Sequence, residues 1–206
     1  MIIPFEACST ITIAAPSNSG KTTFVYNLLK TENSFTIPIT RIIYHYGVYQ
    51  PLYDRMKNEF ENIDFIEGLP TSLHEKTKHT VLVIDDLMEP FINSSEAQKL
   101  VTQTAHHHCT TIIFITHNCF AQGRYARTIA LNSTYLILFK SFRDGQQIVN
   151  LGKQMFPGNG NILVEAYKDA TNVKYNPLVI DMSPHTDDKY RLRSNIFNDM
   201  WIYIPK

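Results

Sequence analysis

The chain has 206 residues, 44% hydrophobic and 18% charged, enough for one substantial core, and its length argues for a single domain with at most a short appendage. Its 19 basic and 19 acidic residues cancel, which excludes the overall basic character of a typical nucleic-acid-binding domain and confines any such contact to a local patch. No apolar run reaches the roughly eighteen residues that a membrane span needs, and the start Met1-Ile2-Ile3-Pro4 lacks the pattern of a secretory signal.

Cys8, Cys109 and Cys119 are odd in number and lack CxxC spacing, so free thiols are expected. Next in chain order, Ile11-Thr12-Ile13-Ala14 reads as a strand that leads straight into Ala15-Pro16-Ser17-Asn18-Ser19-Gly20-Lys21-Thr22-Thr23. With the amphipathic stretch 24–30 behind it, this is the pattern of a strand, a phosphate-binding loop and a helix. The loop's backbone N–H groups are expected to wrap the phosphates of a nucleoside triphosphate, and the helix N-terminus to add its positive dipole end. Lys21 is expected to reach the β- and γ-oxygens and Thr22 to hold Mg²⁺ through its hydroxyl. Ala15 stands where the usual pattern has its first Gly, so the turn there must tolerate a Cβ.

The aromatic stretch 44–49 suits either base stacking or strand and loop packing. Thr80-Val81-Leu82-Val83-Ile84-Asp85-Asp86 then reads as a buried central strand ending in two carboxylates. Asp85 is the candidate metal residue, holding Mg²⁺ at the strand's carboxyl end, and Asp86 the candidate base that polarises an attacking water. The other reading of Asp86 is a cap on the following turn. His106, His107 and His108 with Cys109 do not make a zinc site, because consecutive helical residues point about 100° apart; structural packing is the reading adopted.

The strand 111–116 ends in His117-Asn118, which suits a sensor that hydrogen-bonds the γ-phosphate or the attacking water, or else a polar turn. Downstream, Arg124, Arg127 and Arg143 are candidates to stabilise transition-state charge in cis or across a subunit boundary, Arg127 foremost, against the alternative of solvated or salt-bridged arginines. Further strands are expected over 40–46, 63–66, 134–139 and 178–181, and helices over 94–106, 123–131 and 144–154. This alternation predicts an α/β P-loop NTPase with a mainly parallel sheet, helices on both faces and the nucleotide at the strands' carboxyl ends. The ATPase domain is expected over 1–185. Residues 186–206 are expected to form an extension packing on that domain or on a neighbouring subunit, with 200–204 read as an added edge strand.

Together, 15–23, 83–88, His106-His107, 115–118, 123–132, 139–144 and 154–158 resemble the viral genome-packaging ATPases of the FtsK–HerA superfamily. The likeness is to those of Maverick/Polinton elements and adintoviruses, and more distantly to adenovirus- and poxvirus-type packaging ATPases. It spans most of the chain. It implies a RecA/FtsK–HerA-like fold and an ATP-driven, Mg²⁺-dependent ring, a pentamer or hexamer, that moves double-stranded DNA into a preformed capsid. Capsid or portal-vertex proteins are the implied partners, and the implied place of action is inside the host cell during virion assembly. The resemblance assigns phosphate binding to Lys21 and Thr22, metal binding to Asp85, water activation to Asp86 and a sensor to His117-Asn118. Two residues depart from the family pattern: Ala15, and His117, where relatives more often carry Gln.

The competing reading is a small nucleoside or nucleotide kinase, which also uses a phosphate loop in a compact α/β domain, although no Arg-rich lid is evident. A regulatory GTPase lacks its guanine-reading Asn-Lys-x-Asp, since Asn118 is followed by Cys119. A nucleotide-binding assembly protein without turnover has only the short side chain of Asp86 in its favour.

Overall fold

A computed structural model describes residues 3–70, 78–87, 90–91, 93–95, 109–117 and 133–204. Its strands are β1 (Thr10–Ala14), β2 (Arg41–Tyr46), β3 (Ile63–Glu67), β4 (Thr80–Asp85), β5 (Thr110–Thr116), β6 (Tyr135–Leu138), β7 (Leu178–Asp181), β8 (Leu192–Ser194) and β9 (Trp201–Ile202). Among the described residues the α-helices include α1 (Lys21–Lys30), α2 (Leu52–Glu59), α3 (Gly145–Met155) and α4 (Asn161–Ala170). The strands join in one sheet in the order β3-β2-β4-β5-β1-β6-β7-β8-β9. From β3 to β6 every pairing is parallel, and β7, β8 and β9 are added antiparallel at the far edge.

Every residue of β1, β4 and β5 is buried, as a parallel sheet covered on both faces requires. On one face, Ile11, Ile13, Val81, Val83, Ile113 and Ile115 pack in one cluster with Phe24, Val25 and Leu28 of α1. On the other, Ile43, Leu82, Ile84, Ile112 and Phe114 cluster with Phe91, while Leu136, Leu138, Leu178 and Ile180 receive Ile148, Leu163 and Ala166 from α3 and α4. The alternation of side chains along each strand assigns neighbouring residues to opposite cores.

All seven strands expected in the interior form, with ends shifted by a residue or so. The helix expected over 144–154 forms as α3, while those expected over 94–106 and 123–131 fall outside the described residues apart from Ser94 and Ser95. Three elements go beyond the sequence reading. The α2 segment is mostly polar and buries only Tyr53 and Met56. In β8, Leu192 is the sole hydrophobic residue of a three-residue strand. Its Arg193 is 1% exposed and donates to Asp181 Oδ2 of β7 at 2.8 Å. The third, α4, follows Pro157-Gly158-Asn159-Gly160, a run that reads as loop and hides the helix start.

The cysteines require a correction. Cys8 and Cys109 form a disulfide, with Cα atoms 4.5 Å apart, rather than remaining free. Each lies just before one of two neighbouring strands, β1 and β5, whose register sets Thr10 beside Ile112 and so brings the two cysteines together. Sequence spacing carries no trace of that pairing, because 101 residues separate the cysteines.

Candidate functional site

Parallel register aligns the carboxyl ends of the central strands: Ala14 lies beside Thr116, and Asp85 is flanked by Ile115 and Tyr46. The loop 15–20 leaves β1 at this edge. Ala15 is 1% exposed and its N–H donates to Thr116 O at 3.1 Å, so its Cβ packs into the core instead of crowding the turn. Pro16, Ser17 and Asn18 are exposed, and the backbone turns through left-handed conformations at Asn18 (φ 59°) and Gly20 (φ 89°) before α1 begins at Lys21. Asn and Gly are the residues that enter that region at least cost.

Lys21 is buried, and its ammonium donates to the carbonyls of Ala15 at 2.8 Å and Pro16 at 2.9 Å. Burial pushes its pKa below the usual lysine value, opposed by the charges of Asp85 and Asp86. Its Nζ also lies 3.3 Å from His117 Nδ1, while His117 Nε2 lies 3.2 Å from Asp86 Oδ1. An ammonium only donates, so Nδ1 accepts and the ring proton sits on Nε2, which donates to Asp86. His117 thus bridges Lys21 and Asp86, and both it and Asp86 remain open to solvent.

Asp85, by contrast, is 3% exposed. Its Oδ2 accepts from Tyr44 at 2.8 Å, Tyr53 at 3.0 Å and Thr22 at 3.4 Å. Burial raises its pKa, and the hydrogen bonds from Tyr44, Tyr53 and Thr22 oppose that rise. The two tyrosine hydroxyls are in turn pushed far above the ordinary range, first by burial and then by the Asp85 charge. Three donors on one oxygen fix the carboxylate's orientation and leave Oδ1 as the oxygen for a ligand. Hydroxyl and carboxylate oxygens from Thr22 and Asp85 form the hard donor set that suits a small divalent cation with few protein ligands.

Asp86 directly follows the strand in a left-handed conformation, φ 56°, which turns its side chain away from the path of β4 toward His117. Gly47, at the end of β2, lies against it. A Cβ on Gly47 would come within 2.6 Å of the Asp86 carbonyl oxygen, and the Gly47 N–H donates to Asp85 O at 3.0 Å.

Thus Lys21, Thr22, Asp85, Asp86 and His117 converge on one cleft of about 1000 Å³. Asn118 and Arg127, together with Arg124, lie outside the described residues. Arg143 is exposed on the loop after β6. Sequence reasoning missed Tyr53 and Gly47 and assigned Tyr44 no role at Asp85. The two tyrosines are indistinguishable in sequence from core aromatics, and indeed Tyr44 stacks on Phe65 while Tyr53 packs against both rings at a tilt.

No protein-family model and no curated protein matches the chain. Among solved structures it is similar in fold to the genome packaging NTPase B204 from Sulfolobus turreted icosahedral virus 2. In complex with ATPγS, that protein aligns over 97% of this chain and 98% of its own, with a TM-score of 0.52 and 11% identity. Its AMP complex aligns over 96% and 98% with a TM-score of 0.54 and 14% identity. At such identity the likeness is one of architecture, and the chain has the α/β fold of the P-loop NTPases.

Proposed function

We propose that this chain is an ATP-hydrolysing motor that drives double-stranded DNA into a preformed capsid. The observation that carries the reading is the convergence of Lys21, Asp85, Asp86 and His117 at the carboxyl ends of β1, β4 and β5. Their setting, a fold like that of a viral genome packaging NTPase over nearly the whole of both chains, supports the motor over the kinase.

In this proposal residues 15–23 wrap the triphosphate and Lys21 exchanges its loop carbonyls for the β- and γ-oxygens. Thr22 and Asp85 hold Mg²⁺, which supplies neutralisation of developing phosphate charge. Asp86 polarises the attacking water, and His117 donates from Nε2 and links that carboxylate to Lys21, so a change at the γ-phosphate is felt at the end of β5. Asn118 extends the same sensor, and Arg127 reaches the site of a neighbouring subunit in a pentameric or hexameric ring. We assign the ATPase domain to 1–185 and a packing extension to 186–206. Membership in the FtsK–HerA superfamily of Maverick/Polinton and adintovirus type, docking to a capsid or portal vertex, and action inside the host cell belong to the same reading. Among the described residues no helix is long and apolar enough to cross a membrane.

The test is steady-state ATP hydrolysis with and without long double-stranded DNA, with Lys21→Ala as the blank. Stimulation by DNA that the variant lacks is expected. Turnover that ignores DNA and rises only with a nucleoside or nucleotide acceptor would favour the kinase.

A further inference from the structure

The cleft extends past the phosphate loop to two loops that the phosphate chemistry leaves unused: 173–177 between α4 and β7, and 195–198 between β8 and β9. The two are joined by one side chain. Asn176 Nδ2 donates to Ala170 O at 3.0 Å and to Ser194 Oγ at 2.8 Å, and Asn176 Oδ1 accepts from Asn195 N at 3.2 Å. Phe197 anchors the second loop on Phe24 of α1, ring centroids 5.0 Å apart. The wall they form is therefore built onto the helix that follows the phosphate loop.

Tyr175 stands at the rim of this wall in a left-handed conformation, φ 64°, rare for a bulky residue. Its ring lies directly over Gly20, where a Cβ would come within 3.2 Å of Cδ1. Lys174 Nζ sits 4.8 Å from the ring centroid, yet Tyr175 is 58% exposed, and Val173 beside it 50%. Asn198, on the second loop, also lines the cleft, and its Nδ2 donates to Asn195 Oδ1 at 3.3 Å. The Asn198 Oδ1 has no partner among the described residues. An exposed aromatic plane and an oriented amide lining one cleft are the chemistry that recognises a nucleobase, by stacking on its face and pairing with its edge.

The direction of a bound nucleotide follows from the site's polarity. Lys21, Asp85, Asp86 and His117 draw the terminal phosphate to the strand ends, so the nucleoside leaves along the first turn of α1, past exposed Thr23, into the part of the cleft lined by Tyr175 and Asn198. We propose that the loops 173–177 and 195–198 form a purine subsite, with Tyr175 stacking on the base and Asn198 reading its edge. This rests on the nucleotide reading above and deepens it: the strands added antiparallel at the sheet's edge supply base selection.

Calorimetric titration of ATP, CTP and inorganic tripolyphosphate into the full chain tests it, using wild type, Tyr175→Ala, Tyr175→Phe and Asn198→Ala. Tyr175→Ala is expected to weaken ATP about tenfold while leaving tripolyphosphate unchanged. Tyr175→Phe keeps the aromatic plane and is expected to retain ATP affinity. Asn198→Ala is expected to narrow the preference for ATP over CTP. Equal losses of ATP and tripolyphosphate in Tyr175→Ala, or an undiminished ATP affinity there, would overturn the subsite. Wild type that binds neither ATP nor tripolyphosphate would instead overturn the phosphate-loop reading beneath it.

Discussion

The hydroxyl of Tyr44 donates to Oδ2 of Asp85 across 2.8 Å, inside a core where both residues are almost wholly buried. A strand tyrosine therefore aims the carboxylate that we assign to the metal. Because partners behind a metal ligand commonly change affinity by roughly 10- to 100-fold when removed, Tyr44→Phe is expected to raise the Mg²⁺ concentration for half-maximal hydrolysis about tenfold. Binding of ATP measured in EDTA should not move. An unchanged Mg²⁺ dependence would reduce the contact to core packing.

His117 joins Lys21 to Asp86, and the two partners predict different phenotypes for variants. Asp86→Asn removes the proposed base while keeping the shape, so ATP binding is expected to persist and hydrolysis to fall by on the order of 10²–10⁴. His117→Ala is expected to lose less than Asp86→Asn, and His117→Gln to lose less again, because an amide can both donate and accept at that place. Rapid-quench hydrolysis beside equilibrium ATP binding separates the three. Full hydrolysis by Asp86→Asn would return Asp86 to the role of a turn cap.

Gly47 has no room for a side chain because the Asp86 backbone occupies the space. Since that neighbour is main chain, it cannot swing aside, and Gly47→Ala must push the Asp86 turn away from His117. The expected cost is about 1–3 kcal/mol of stability, with hydrolysis lowered more than ATP binding. Thermal melts paired with turnover measurements would show both, and an unperturbed variant would mean that the two turns are not in close register.

Arg193 and Asp181 pair in the interior between β7 and β8, and burial pulls the arginine's pKa down and the aspartate's up. Removing one partner strands the other charge, so Arg193→Met is expected to cost about 3–5 kcal/mol in urea denaturation. The double variant Arg193→Met/Asp181→Leu should recover much of this, because two apolar side chains leave no unpaired charge. A double variant no more stable than the single would point to the hydrogen-bond geometry rather than the charge.

The phosphate loop, the strand ending in Asp85-Asp86 and the α/β alternation are legible in the sequence because each is local. An apolar run declares a buried strand, and the loop's residue types follow from what a phosphate demands of a backbone. The chain also placed His117 at a strand end without saying what it touches. Contacts between distant segments were decided by the sheet order alone: β4 lies between β2 and β5, which sets Tyr44 and His117 on opposite flanks of the carboxylate pair. The same ordering pairs Cys8 with Cys109 and carries the loop of Asn195 and Asn198 to the mouth of the cleft. Local propensity depends on neighbours in the chain, whereas these contacts depend on register across the sheet, to which residues far apart in sequence contribute equally.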